Sequence, residues 1–331
     1  MKTYKYQMHS HTFPASACGE MSPEELVEEL MIGGYSGCVI TNHFINGNTG
    51  INPALDWEDF VEVYAEDYRF AAEVASDYDI DIIFGIEQCV DYIAASFVRR
   101  KEDVLAVREL LEKYDTSGKI KIISKIENTE GIAKMDEIIE VSDGIMVARG
   151  DMGVEVPFKM LPKIQKELIQ KCYNKGKIVV TATQMLDSMQ TNPRPTRAEV
   201  SDVANAVYDK TTCIMLSGES AAGKYPIESV SAMKEIAEYA EENINYEKRF
   251  KEYKVDLGDD FLSATCYSAV NAAYQFNAKA IICATNNGLT AFNLSAYHPV
   301  CPIIAITVNE KACRQLNLCW NVHPIYAEKK E

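Results

Sequence analysis

The sequence predicts an α/β protein, namely an imperfect (βα)-barrel followed by a small α/β domain. Short apolar runs alternate with longer amphipathic segments, which is the pattern of parallel strands wrapped by helices. One long helix, predicted over 226–254, is followed by the turn-forming residues 256–259. The alternation then resumes up to the end of the sequence, which predicts a second, smaller domain.

The individual elements follow from the periodicity of apolar residues and from capping signals. Barrel strands are predicted at 37–41, 90–97, 119–127, 144–147, 177–183 and 213–216. Helices are predicted at 102–114, 130–141, 161–174, 197–208 and 226–254. In the second domain, helices at 261–276, 289–297 and 310–320 alternate with strands at 278–284, 302–307 and 322–326.

Length, charge and cysteine content narrow the class of protein. The 331 residues are enough for two or three domains. The net charge of -16 argues against a nucleic-acid partner, because phosphate binding needs a basic surface. We find neither an apolar run of membrane-spanning length nor a signal-peptide core, so no membrane partner and a cytoplasmic location are expected. The ten cysteines form no CxxC pair, which predicts buried reduced thiols rather than a zinc site.

Charged and polar residues are concentrated at three successive strand ends. Lys125 and Glu127 stand two apart, so they share one face at the end of a strand. Asp151 follows the next strand, and Thr183 follows the one after it. The carboxyl ends of barrel strands form the active site in this architecture. Two carboxylates and a lysine suit a divalent metal and a phosphoryl group, while the alternative is an internal salt bridge between Lys125 and Glu127.

Five long motifs in the sequence are more specific than any short pattern. They are 121–131 around Lys125, Val-Ala-Arg-Gly-Asp-Met-Gly-Val-Glu-Val-Pro at 147–157, Thr-Ala-Thr-Gln-Met-Leu-Asp-Ser-Met at 181–189, 193–206 and 213–220. From about residue 81 or 90 onward, the sequence resembles the pyruvate kinase family. The predicted domains are therefore a barrel half at 88–254 and a shortened C-terminal α/β domain at 255–331.

The resemblance implies transfer of a phosphoryl group from phosphoenolpyruvate to ADP, giving pyruvate and ATP in glycolysis. It implies that Lys125 and Thr183 are catalytic and that Glu127 and Asp151 bind magnesium or manganese. Substrate would be contacted by Lys125, Arg149, Gly150, Asp151 and Thr183. The family is homotetrameric and also uses potassium, but we find no counterpart of the potassium ligands before residue 81. Lys210 stands where the family usually has glycine, which predicts strain if that turn needs a positive φ.

The front of the chain has a different pattern. His-x-His at a strand end, followed by another strand-end histidine, is a metal-ligand arrangement. Residues 1–87 resemble the polymerase and histidinol phosphatase (PHP) metallohydrolase domain. The resemblance implies vestigial ligands for zinc, manganese or iron at His9, His11, Glu20, His43 and Glu87. The family's later histidines have no counterpart here, which predicts an incomplete cluster.

Residues 79–88 fit both families, so the junction is predicted there; recombination, a sequence-assembly error or a designed fusion would each produce it. Too few residues separate 87 from 91 for a parallel crossover. The segment 79–87 is therefore expected to be helical or to leave a ring of about seven strands broken. A pyruvate kinase with impaired turnover is the leading interpretation. The alternatives are a PHP-type metal-dependent phosphoesterase and an inactive fusion that only binds magnesium or phosphoenolpyruvate.

Overall fold

The computed structural model describes the backbone at 6–10, 37–40 and 81–83, and residues 90–114, 120–252, 255–258 and 260–328. The chain divides into two units. The first comprises Met1–Phe97 and Leu105–Ile120, and the second comprises Val98–Val104 and Lys121–Glu331. The residues expected to carry the chemistry, from Lys125 to Thr183, belong to the second unit. None of the helices in the described ranges is long and apolar enough to cross a bilayer.

The first unit contains a parallel sheet of strands β1 (Tyr6–Ser10), β2 (Gly37–Ile40) and β3 (Asp81–Ile83), in that order, and strand β4 (Tyr92–Ala95) follows. The strand predicted at 37–41 is confirmed. At 79–87 the helical alternative is wrong for residues 81–83, because they form β3 and pair with β2. Among the described strands, β1 to β3 form a sheet of their own.

The sheet of the second unit provides the edge on which the candidate site is built. Its strands are β5 (Lys121–Ile126), β6 (Gly144–Ala148), β7 (Ile178–Ala182) and β8 (Cys213–Ile214), which are parallel neighbours in chain order. Every residue of β7 is buried. Burial on both faces is expected of a parallel strand covered by helices, and it explains the continuous apolar run of its sequence.

Helices connect and follow these strands. They are α1 (Lys101–Tyr114), α2 (Thr129–Ala133), α3 (Met135–Val141), α4 (Arg149–Glu155), α5 (Leu161–Asn174), α6 (Arg197–Tyr208), α7 (Gly218–Ala221), α8 (Pro226–Glu242) and α9 (Tyr246–Glu252). The single helix predicted at 130–141 is wrong, since it is interrupted at Lys134, where φ is -108° and ψ is 16°.

The single helix predicted at 226–254 is also wrong, and asparagine side chains explain the break. The side chain of Asn243 donates to the carbonyl of Tyr239 over 2.7 Å, at the end of α8. The side chain of Asn245 accepts from the backbone amide of Lys248 over 2.9 Å, at the start of α9. Both side chains bond backbone groups that the ends of the two helices leave without helical partners, so a break costs little here.

The second domain alternates helix and strand as predicted. Its elements are α10 (Phe261–Gln275), β9 (Ile281–Ala284), α11 (Leu289–Ala296), β10 (Ile303–Thr307), α12 (Glu310–Gln315) and β11 (Val322–Tyr326). The three strands are parallel, in the order β11-β10-β9. The helix predicted at 310–320 is shorter than expected, because a 3-10 turn at Leu316–Leu318 follows it. A buried apolar core around Val270, Leu294 and Ile303 joins the helices to the sheet.

The cysteines of the described ranges are free thiols, and several are buried. Burial raises the pKa of Cys172 to about 12, so its thiol stays protonated. The prediction of buried, reduced cysteines is therefore confirmed for Cys172 and Cys266, both of which lie in the core.

Aromatic rings connect the barrel helices to the second domain. His298 stacks on Trp320 with ring centroids 4.6 Å apart, and it meets the edge of Tyr173 on α5 at 5.0 Å. The ammonium of Lys210 lies 4.8 Å from the centre of the Tyr173 ring and donates to Gln170 over 2.7 Å. Lys210 has φ 80°, so the turn has the positive φ on which the predicted strain depends. Burial lowers the pKa of Lys210 to about 8.

The buried imidazole of His298 makes the free energy of unfolding depend on pH. Burial, helped by the positive charges of Arg249 and Lys210, lowers the pKa of His298 from 6.5 to about 3. Below pH 6.5 the unfolded chain binds a proton that the folded chain does not, so the free energy of unfolding falls as the pH drops toward 3. Each pH unit in that window removes up to about 1.4 kcal/mol.

We expect His298→Phe to lose less stability than the wild type between pH 7 and pH 4.5. Urea denaturation at both values measures the difference. The matched control is His323→Phe, because His323 is exposed and its replacement should leave the wild-type acid loss in place. Equal acid losses in His298→Phe and the wild type would contradict the prediction.

Candidate active site

The candidate site lies at the carboxyl ends of β5, β6 and β7. These strands are parallel neighbours, so their ends lie at one edge of the sheet. Lys125 stands near the end of β5 and Glu127 follows that strand directly. Asp151 lies in the first turn of α4, which begins as β6 ends, and Thr183 is the first residue after β7.

Lys125 and Glu127 form a close ion pair. The lysine nitrogen is 2.6 Å from Glu127 Oε1, the glutamate side chain is fully buried, and the lysine side chain is one-fifth exposed. A buried carboxylate is costly unless it is paired or bound to a cation. The salt bridge that the sequence left as an alternative is therefore present. It is also compatible with a functional site, since a carboxylate has a second oxygen for another ligand.

Glu127 and Asp151 offer the hard oxygen donors that magnesium prefers. Asp151 is exposed, and it lies at the amino end of α4, where the exposed backbone amides favour negative charge. Magnesium is usually held by one or two carboxylates, with water and substrate completing its coordination. The donor set thus fits magnesium. Nowhere in the described ranges do three or more His, Cys, Asp or Glu side chains gather in a metal-holding group.

Arg149 is committed to protein partners. Its Nη1 donates to both carboxylate oxygens of Asp202, over 2.7 and 2.8 Å. Its Nη2 donates to the backbone carbonyl of Thr183 over 2.7 Å, and its Nε donates to the carbonyls of Ala182 and Thr183 over 3.2 Å. The guanidinium therefore fixes the end of β7. Asp202, which sequence reasoning missed, orients it.

The backbone after β7 is strained. Thr183 has φ 74° and Gln184 has φ 55°, the left-handed region that residues with a side chain rarely adopt. Gly150 packs against this turn, because a Cβ at Gly150 would lie 2.7 Å from Thr183 Cγ2. Two consecutive residues in this region persist only where their surroundings hold them, and such strain is frequent at functional sites.

Glu199, which sequence reasoning also missed as a site-supporting residue, holds the loop that follows the strained turn. It accepts from the amide and the hydroxyl of Ser188 over 2.7 and 2.6 Å, and it forms a capping box with Thr196 at the start of α6. Burial opposes ionisation, but the hydrogen bonds from Ser188 and Thr196 prevail and lower the pKa of Glu199. The Thr-x-x-Glu spacing of a capping box was the available sequence signal.

Comparison with known sequences identifies the family. The profile of the pyruvate kinase barrel domain matches residues 58–230, just over half of the chain, and that of the pyruvate kinase alpha/beta domain matches residues 263–331. The chain belongs to the pyruvate kinase family. This confirms the predicted fold class, a barrel domain followed by an α/β domain, and it places the chain in a family of transferases.

The match covers only part of the length of the relatives, which are described as pyruvate kinase. The Clostridium acetobutylicum protein is 53% identical over 249 residues, which are 75% of this chain and 52% of the relative. The Clostridium perfringens protein is 56% identical over 246 residues, 73% of this chain and 51% of the relative. The Bacillus licheniformis protein is 54% identical over 246 residues, 73% of this chain and 41% of the relative. The chain thus spans about half the length of these relatives, or less.

The pyruvate kinase match begins earlier than the motifs suggested. It starts at residue 58, within the segment 1–87 that was predicted to be PHP-like, so the pyruvate kinase resemblance reaches further forward than residue 81. The comparisons support the pyruvate kinase domains and not a fused metallohydrolase. Of the predicted vestigial ligands, only the backbone of His9, in β1, is described. His11, Glu20, His43 and Glu87 lie outside the described residues. The domain bounds 88–254 and 255–331 stay predictions.

Proposed function

We propose that this chain carries a pyruvate kinase-type phosphotransferase site, which transfers a phosphoryl group from phosphoenolpyruvate to ADP as a cytoplasmic step of glycolysis. The observation that carries the proposal is the Lys125–Glu127 ion pair at the end of β5, whose carboxylate is fully buried. It stands beside the strand end that leads to Asp151. A buried carboxylate paired with a lysine at a strand end is costly to maintain. Binding of a phosphorylated, metal-bound substrate would account for that cost.

In this proposal each side chain has a separate task. The ammonium of Lys125 neutralises charge on the phosphoryl group in transit, which is the dominant contribution in phosphoryl transfer. Glu127 and Asp151 would hold magnesium or manganese. When bound, the metal supplies charge neutralisation and polarises the substrate oxygens. Gly150 and Asp151 receive the three-carbon substrate, and Thr183 stands near the carbon that is protonated.

Arg149 belongs to the substrate-binding set that the resemblance implies. Its hydrogen bonds favour an indirect role over direct contact with the substrate, since Asp202 and the Thr183 carbonyl occupy its donors. We therefore propose that Arg149 affects substrate binding indirectly, through Thr183. It sets the position of that residue and need not touch the substrate itself.

Turnover by this chain is expected to be low. The resemblance assigns an arginine, an asparagine, a serine and an aspartate to strands whose counterparts we do not find before residue 81. Each lost electrostatic contact costs roughly 10²–10³ in rate. We assign no potassium ligand. The phosphoesterase alternative stays a prediction, as do the homotetramer and the binding-only alternative.

The proposal is tested by calorimetry and by a coupled assay on the purified chain. We expect weak phosphoenolpyruvate binding in the presence of magnesium, and loss of that binding in Asp151→Asn. The matched control is Glu155→Gln, an exposed carboxylate on the same helix α4. The same protein is assayed with ADP, potassium and lactate dehydrogenase as the coupling enzyme.

Three outcomes decide between the alternatives. Absence of phosphoenolpyruvate binding in the wild type would overturn the proposed site. Turnover within tenfold of ordinary family members would confirm the activity and contradict the expected impairment. Binding without any turnover would favour the binding-only protein.

A further inference from the structure

A buried carboxylate joins the loops that follow β7 and β8. Glu219, in the short helix α7, is 1% exposed. Its Oε1 accepts from the backbone amide of Leu186 over 3.0 Å, and its Oε2 accepts from the backbone amide of Ser217 over 2.7 Å. Two amides donating to one buried carboxylate form a strong, charge-assisted contact. Both oxygens are used within the protein, which indicates a structural task for this carboxylate.

The same two loops are joined at a second point. The backbone amide of Lys224 donates to the carbonyl of Gln190 over 2.8 Å. Two glycines allow the close approach: a Cβ at Gly218 would lie 2.7 Å from the Gln190 side chain, and one at Gly223 would lie 3.1 Å from Gln190 Cα. The loops therefore form one packed body, with Glu219 at its buried end.

This body begins at Leu186, two residues after the strained Thr183–Gln184 turn. At Thr183, Arg149 holds the carbonyl, as described above. At Leu186, Glu219 holds the amide. Between them, Met185 is fully buried and its sulfur accepts from Arg149 over 2.8 Å. A turn in a sparsely populated conformation needs restraint at both ends, and these contacts supply it.

We propose that Glu219 is a positioning residue, which holds Thr183 in place by fixing the loop that follows it. The effect of Glu219 on substrate binding rests on the proposed function, whereas its restraint of the loop is independent of that function. The hydrogen bonds described for Glu219 go to Leu186 and Ser217, and neither residue is a proposed metal ligand or substrate contact. Its effect passes along the backbone from Leu186 to Thr183.

The informative substitution is Glu219→Gln, which keeps the shape and turns one acceptor into a donor facing a backbone amide. Glu228→Gln, at an exposed carboxylate in the first turn of α8, is the matched control. Hydrogen exchange followed by NMR reports on each amide. We expect the amides of Met189 and Lys224, which do not bond Glu219, to exchange at least tenfold faster in Glu219→Gln. The amides of β7 should keep their wild-type rates.

Exchange decides whether the restraint exists. Faster exchange at Leu186 and Ser217 alone would show a local bond with no hold on the loop, and would overturn the proposal. A uniform increase that includes β7 would indicate general destabilisation, and would overturn it as well. If Glu219→Gln fails to fold, Glu219→Asp is measured in the same way, since it keeps the charge but shortens the reach.

Ligand binding decides whether the restraint positions Thr183. In Glu219→Gln we expect phosphoenolpyruvate, with magnesium present, to bind at least tenfold more weakly, while manganese alone binds as in the wild type. Equal weakening of both would show a merely structural role and overturn the positioning. If the wild type binds no phosphoenolpyruvate, the proposed function fails. The exchange rates of Met189 and Lys224 then decide the inference alone.

Discussion

Replacing Lys125 with methionine is expected to lower the residual phosphoryl transfer of the chain by roughly 10²–10³. The substitution removes the ammonium that would neutralise the transferring group, and it leaves Glu127 buried without its 2.6 Å partner. Breaking a buried pair from one side costs about 3–5 kcal/mol of stability. The coupled lactate dehydrogenase assay measures the first effect and urea denaturation measures the second.

A double variant separates chemistry from folding. Lys125→Met combined with Glu127→Gln removes both charges, so most of the lost stability should return while turnover stays as low as in Lys125→Met. Lys163→Met, at an exposed lysine on α5, is the control and should leave both measurements unchanged. Turnover that survives Lys125→Met at the wild-type rate would remove this lysine from the proposed mechanism.

Glu127→Gln is expected to produce the largest change in metal binding. An amide is a poorer ligand for magnesium or manganese than a carboxylate, and the site loses one of its two proposed anionic donors. Loss of an outer-shell partner alone typically costs roughly 10–100-fold in metal affinity, so loss of a direct ligand should cost more. Calorimetric titration with manganese measures the affinity directly.

The control for this titration comes from the front of the chain. His9→Ala removes a predicted vestigial ligand, and we expect it to leave manganese affinity unchanged. If Glu127→Gln binds manganese as well as the wild type does, the proposed metal site is wrong. If His9→Ala is the weaker variant, the metal belongs to the histidine pattern and the phosphoesterase alternative gains support.

Local patterns predicted the features that depend on neighbouring residues. Apolar runs predicted β5, β6 and β7, and the positions of Lys125 and Asp151 in sequence placed them at strand ends. The strain at Lys210 was predicted from the family resemblance instead, on the condition that the turn needs a positive φ, which it has. The break between α8 and α9 was missed, although Asn243 and Asn245 carried the signal, because the apolar periodicity continues across it.

Contacts between distant segments were beyond this reasoning. Arg149 and Asp202 are 53 positions apart, and Glu219 and Leu186 are 33 apart. Periodicity says which face of an element is buried, but not which buried polar groups will meet. The family resemblance placed Arg149 in the substrate set, while only the fold shows that its donors are occupied.

The aromatic contacts between α5 and the second domain have a consequence for synthesis on the ribosome. Tyr173 emerges from the ribosome well before His298 and Trp320 have been translated. The face of α5 that carries Tyr173 therefore stays exposed to solvent while the intervening helices and strands are translated. Transiently exposed apolar surface attracts chaperones and favours aggregation. Translation of the segment from His298 to Trp320 thus ends the period in which this face of the nascent barrel is exposed.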